Sequence, residues 1–200
     1  MAKRDDNHST GDRADLRTQA EFVELGYACN PISKDYGEDF FVVMHDKVSK
    51  IIEPFRIFVQ SKGTTIPEDV PSDWTEYIDP LTVRQWILGS DLVVVVRRNI
   101  ETREARYTIP EIDYSYWDIY SHCTGGKDVP IRCRIPFEAS TPHELVWHAR
   151  VRHYMRLFAL TLKDESEWKD VPGYKLYLLE LFLRMGLLSE DESYHFLKGR

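Results

Sequence analysis

An acid, an amide and an amine stand where two strands should begin and end. Asp39 follows Gly37-Glu38 and opens the apolar run Phe40-Phe41-Val42-Val43-Met44, and Gln60-Ser61-Lys62 closes a second run, Phe55-Arg56-Ile57-Phe58-Val59. Both runs are rich in β-branched and aromatic residues and read as strands. Side chains alternate faces along a strand, so Gln60 and Lys62 point the same way, roughly 6 to 7 Å apart, and Val59 and Ser61 point the other way. Paired as a hairpin, closed by the polar stretch from His45 to Glu53 and by Pro54, the strands set Asp39 beside Gln60 and Lys62. A carboxylate next to an amide oxygen suits a hard divalent cation such as magnesium, which takes oxygen ligands and keeps several waters. An ammonium nearby orients or helps deprotonate one such water. That is the equipment of metal-assisted phosphodiester hydrolysis. The same three residues also suit an ordinary solvated strand end.

The elements around this pair follow from periodicity and punctuation. Leu16, Ala20 and Val23 recur at helical spacing between Gly11 and Leu25, with Gly26 as a C-terminal cap, and predict a first helix whose core side they form. Residues 1–10 are polar and without period, so a disordered tail is expected there. A helix is expected over Pro80 to Leu88. The uninterrupted run Asp91-Leu92-Val93-Val94-Val95-Val96 suits a central strand buried on both faces. Further strands are expected at 105–110 and 131–135. The fold class is α/β, a mixed sheet flanked by helices over residues 11–137.

Residues 138–200 read as a helical subdomain. Thr141-Pro142-His143-Glu144 combines an N-cap, a proline at the first helical position and an acid, and predicts a helix over about 142–162. Tyr174 to Met185 predicts another, with leucines and aromatics nearly all round, so it is buried in a helical core or forms a dimer or partner interface. Ser189-Glu190-Asp191-Glu192 is a capping box for a short last helix.

Composition narrows the function classes. The 200 residues are 42% hydrophobic and 30% charged, as in an ordinary soluble domain. No apolar run approaches the roughly 18 residues that span a bilayer, and Met1-Ala2-Lys3-Arg4-Asp5-Asp6 lacks a secretory apolar core, so a cytoplasmic protein without membrane contact is expected. Three scattered cysteines, Cys29, Cys123 and Cys133, match neither a disulfide framework nor a zinc pattern. A net charge of −7 argues against coating nucleic acid by bulk electrostatics. Positive charge is nevertheless concentrated between residues 129 and 163, at Arg132, Arg134, Arg150, Arg152, Arg156 and Lys163. These residues form either a basic face, with Arg150, Arg152 and Arg156 tracking phosphates, or a solvated helix surface paired with Asp164, Glu165 and Glu167. There is no Gly-x-Ser-x-Gly elbow and no phosphate-binding loop. His122, His143, His148 and His153 have no acid at triad-like spacing.

The stretch Asp12 to Lys62, with "LGY", "DYGEDFFV" and "FVQSKG", resembles the PD-(D/E)XK superfamily of nucleases, in the Gln-x-Lys form of its Mrr-like branch. With the tryptophan-containing helix, "DLVVVV" and "ARYTIPEI", residues 11 to 115 are similar to the prokaryotic domain of unknown function 4365. The resemblance implies a restriction-endonuclease-like sheet and a magnesium- or manganese-dependent endonuclease acting on DNA, in prokaryotic defence. It implies that Asp39 and Gln60 bind metal and that Lys62 serves the attacking water. It also implies a further carboxylate from the first helix, where Asp12, Asp15, Glu21 and Glu24 are available. Asp12 is favoured because it lies one turn before Leu16 on the side expected to face the core. Gln60 stands where the commoner form has an acid, which lowers the negative charge offered to a cation. A nuclease fold whose chemistry has lapsed, and which binds a protein partner or nucleic acid, is the competing expectation.

Overall fold

The computed structural model describes residues 6–32, 37–45, 52–65 and 74–161 of the chain. It divides into two compact units, Met1–Val146 and Trp147–Arg200. Helix α1 (Asp6–Glu24) is followed by β1 (Ala28–Pro31), β2 (Phe40–His45), β3 (Ile52–Thr64) and β4 (Trp74–Ile78). Then come α2 (Pro80–Leu88), β5 (Leu92–Asn99), β6 (Ala105–Thr108), α3 (Pro110–Asp113), α4 (Tyr116–Gly125), β7 (Val129–Cys133), β8 (Ile135–Pro136) and α5 (Thr141–Thr161). Six strands form a mixed sheet in the order β1-β2-β3-β5-β6-β8, and β4 and β7 form a separate ribbon. Only β3 and β5 run parallel within the larger sheet.

β2 and β3 pair antiparallel with Phe40 opposite Val59 and Phe41 opposite Phe58, the hairpin predicted from their composition. β3 is longer than the apolar run alone suggests, beginning at Ile52, and the register shifts between Val43 and His45. β5 lies between β3 and β6, and Leu92 to Val96 are all buried, as an unbroken apolar run requires. The strand expected at 131–135 is β7, but it belongs to the ribbon rather than to the main sheet.

Pairing and alternation assign the faces. Val94, Val96 and Arg98 in β5, with Val59 and Ser61 in β3, face α1, where Arg98 pairs with Glu21. Phe58, Val93 and Val95 face the other way, into a cluster with Trp74, Val83, Trp86, Ile119, Ile131 and Cys133 from α2, α4 and the ribbon. Asp79 caps α2 by accepting from the amides of Leu81 and Thr82, and Pro80 occupies its first turn.

The first helix presents the opposite side from the one expected. Ala14, Thr18 and Phe22 are buried against the sheet, whereas Leu16 is 66% and Val23 54% exposed. Two apolar stripes compete on this helix, and the one carrying the large aromatic ring is buried. Gly63 explains how close the helix comes: a Cβ there would sit 2.5 Å from the Thr10 carbonyl oxygen. The helix starts at Asp6, earlier than Gly11.

α5 begins where expected, but Thr141 does not cap it. Its hydroxyl accepts from the Glu138 amide, and the Ser140 hydroxyl donates to Glu144 instead. The helix expected over 174–185 and the capping box at 189–192 lie outside the described residues. No helix among the described residues is long and apolar enough to cross a membrane.

Candidate functional site

Asp39 sits one residue before β2, where that strand meets the polar half of β3. Its amide donates to the Val59 carbonyl at 2.9 Å and its carbonyl accepts from Ile32 at 3.0 Å, so its backbone is pinned between β1 and β3. Its carboxylate Oδ2 accepts from Gln60 Nε2 at 2.9 Å and from the Ser61 amide at 2.6 Å. Gln60 and Ser61 are buried, at 5% and 4% exposure. Two donors on one carboxylate oxygen hold it in a single orientation. Gln60 turns its amide nitrogen to the acid.

α1 brings a second carboxylate to the same place. Asp15 is partly buried beside Ser61, and its pKa is raised to about 6, first by burial and then by the negative charge of Asp39. The Ser61 hydroxyl, Asp12 and Lys62 also act on it, with Asp12 raising it and the other two lowering it. Asp15 Oδ1 and Ser61 Oγ are both buried with no partner at full hydrogen-bond geometry, although the Ser61 hydroxyl lies near enough to the carboxyl to lower its pKa. A buried polar atom without a partner costs on the order of 1 to 3 kcal/mol and is concentrated at functional sites.

Asp12, the first-helix acid favoured from the sequence, is exposed. It shares a side of α1 with Leu16 as supposed, but that side faces solvent. Asp15 lies within the turn that follows and reaches the strands. The signal that could have found it was Phe22 and Ala14, whose spacing marks the buried stripe on which Asp15 borders. Glu38 is drawn to the opposite layer, where Trp86 Nε1 in α2 donates to its Oε1 at 2.8 Å. Gly37, with φ of +96°, makes that turn possible, since a Cβ there would stand 2.7 Å from the Thr82 methyl.

Lys62 follows in β3, directly opposite Arg97 of the parallel neighbour β5. Arg97 is committed elsewhere, donating to the Thr75 carbonyl at 3.1 Å and pairing with Glu76 at 2.9 Å. The site therefore lies at the carboxyl ends of the two parallel strands, where open α/β sheets commonly place ligands.

The carboxylates brought together are Asp15 and Asp39, with Gln60 held to Asp39 through its amide nitrogen. Among the described residues no three His, Cys, Asp or Glu side chains converge as a metal cluster. One or two carboxylates completed by water and substrate phosphate is the way magnesium is ordinarily held, so the residues present fit a hard divalent cation. Arg150 and Arg152 lie on α5 in the unit Trp147–Arg200, Arg150 partly buried and Arg152 buried at 9% exposure. Arg156 lies on the same helix, and its side chain is outside the description. Neither protein-family models, nor curated proteins, nor solved structures match this chain.

Proposed function

We propose that this chain is a divalent-cation-dependent endonuclease that hydrolyses DNA phosphodiester bonds on a restriction-endonuclease-like sheet. The observation that carries this reading is the pair of carboxylates, Asp15 and Asp39, held close enough that the charge of one raises the pKa of the other, with a buried oxygen of Asp15 lacking a partner at full hydrogen-bond geometry. Like charges brought together in a partly dry place favour a cation between them.

Asp39, fixed by Gln60 and the Ser61 amide, would hold magnesium or manganese together with Asp15. The ion, when bound, supplies polarisation of the phosphoryl group and a water of lowered pKa. Lys62, whose charge already acts on Asp15, would offset charge developing on the phosphate. Asp15, whose pKa is raised to about 6, would be ionised and able to hold the ion above that pH.

The second reading, a fold whose chemistry has lapsed, is favoured by one detail: the Gln60 side chain already donates to Asp39, closing the network without an ion. Nicking of supercoiled plasmid separates the two. The nuclease reading expects cleavage that needs magnesium or manganese, stops with chelator and falls about 100-fold or more in Lys62→Ala and Asp39→Asn. Cleavage that survives both substitutions rejects the assignment. Absence of cleavage together with no calorimetric manganese binding leaves the lapsed module.

A further inference from the structure

The ribbon of β4 and β7 has one buried face and one exposed face. Trp74, Ile131 and Cys133 turn inwards, and Tyr77, 71% exposed, turns outwards with the exposed Arg132. Arg134, also exposed, follows just past the end of β7. Tyr77 stands directly across from Pro130, and Thr75 across from Arg132. Tyr114, from the turn before α4, donates its hydroxyl to the Pro130 carbonyl and meets His122 edge to face at 6.4 Å. Two tyrosines therefore bracket Pro130. Arg132 and Arg134, with Tyr114 and Asp113, line an open cavity of about 250 Å³. Asp113 is the one acid in that lining, and its carboxylate accepts from Thr108 at 2.6 Å.

This face is connected to the candidate site through the fold. Lys62 lies opposite Arg97, Arg97 donates to Thr75, and Thr75 is the cross-strand partner of Arg132. From these contacts we infer that the outer face of the ribbon is a single-stranded DNA track, with phosphates on Arg132 and Arg134 and a base stacked on Tyr77. Residues two apart on an extended chain repeat about every 6 to 7 Å on one side, which sets the arginines in file beside the tyrosine. A cationic groove with an exposed aromatic ring is the equipment of sequence-tolerant single-strand binding, because the ring is useful only to a base that has left its stack. A duplex would use the arginines and leave Tyr77 idle. The inference deepens the nuclease reading, on which the direction of the strand towards Lys62 rests, but the binding itself does not depend on cleavage.

The test is binding of the full chain to fluorescent oligo-dT, thirty nucleotides long, titrated in chelator at several salt concentrations. Arg132→Ala with Arg134→Ala is expected to weaken binding about tenfold or more and to flatten the log–log salt slope by about 1.4, for two single-strand phosphates. Replacing both by lysine should keep the slope, which separates lost charge from a damaged fold. Tyr77→Ala should cost about fivefold or more with the slope unchanged. Arg56→Ala removes an equal charge near the other end of β3 and should change nothing. Equal affinity and slope in the double alanine variant, no binding by the native chain, or tighter binding to duplex than to oligo-dT would each overturn the inference. A chain that binds this way yet never cleaves with metal would keep the track and lose the nuclease.

Discussion

On the face of the sheet that receives α2 and α4, Trp74, Val83, Trp86, Val93, Val95 and Ile131 pack as an apolar cluster. On the face that receives α1, Val94 and Val96 give way within a few residues to Ser61, Arg98, Glu21 and Asp15. Leu92 to Val96 are apolar on both sides, so that part of β5 does not create the contrast. The difference comes from the carboxyl-terminal ends of β3 and β5 and from a helix that Gly63 allows to approach within touching distance of Thr10. The α1 face has its own fully buried apolar side chains, Phe22, Phe40, Val42, Ile57 and Val59, and the buried ionisable groups are confined to one end of it.

The contrast can be broken most strongly from the apolar side. Trp86→Ala removes a side chain 3% exposed at the centre of the cluster and should lower unfolding free energy by about 3 to 5 kcal/mol, read as a drop in the urea midpoint. A variant that melts like the parent would show that the cluster is not the principal core.

A smaller effect is expected across the sheet. Arg98 is 4% exposed and pairs with Glu21, whose pKa is already raised by burial despite that arginine. Arg98→Met keeps the length and removes the charge. It should cost about 1 to 2 kcal/mol at pH 7, below the figure for a fully buried pair because Glu21 reaches water. The cost should shrink as the pH falls and Glu21 takes up a proton. A deficit that grows in acid would contradict the pairing.

The smallest effect has the opposite sign. Asp15 has a folded-state pKa near 6 against an ordinary 3.8, so the native state binds its proton more tightly than the unfolded chain does. The penalty is complete above pH 6, shrinks as the pH falls and is gone below about 3.8. Asp15→Asn should therefore stabilise the protein at pH 8, on the order of 1 kcal/mol after solvent screening, and make little difference near pH 4. Paired thermal melts at the two pH values measure it. A destabilised variant at pH 8 would mean that the carboxylate is satisfied by a partner after all.

The polar end of the hairpin was legible because it rests on local rules. Alternation puts Gln60 and Lys62 on one face, and an antiparallel pair sets the start of β2 against the end of β3. The helix expected over Pro80 to Leu88 is α2, and the structure adds Asp79 as its cap. The helix face was not legible. Leu16, Ala20 and Val23 have as good a period as Ala14, Thr18 and Phe22, and the choice between them passed directly into the choice between Asp12 and Asp15. β1 was missed because Ala28 to Pro31 has little strand character of its own, and α4 because Tyr116 to Gly125 shows its aromatics to solvent; β4 was missed although Trp74 to Ile78 is rich in strand-favouring residues.

The linear chain by itself determined a buried central strand, a hairpin with polar ends, the limits of α2 and the start of α5, since each depends on residues only a few positions apart. Only tertiary structure decided that Asp15 joins Asp39, that β4 finds β7 more than fifty residues later, and that Tyr77 and Arg132 share an outer surface. Those outcomes depend on which neighbour covers which side, and burial is a property of the assembled layers. Two apolar stripes on one helix are equivalent until a sheet is there to receive one of them.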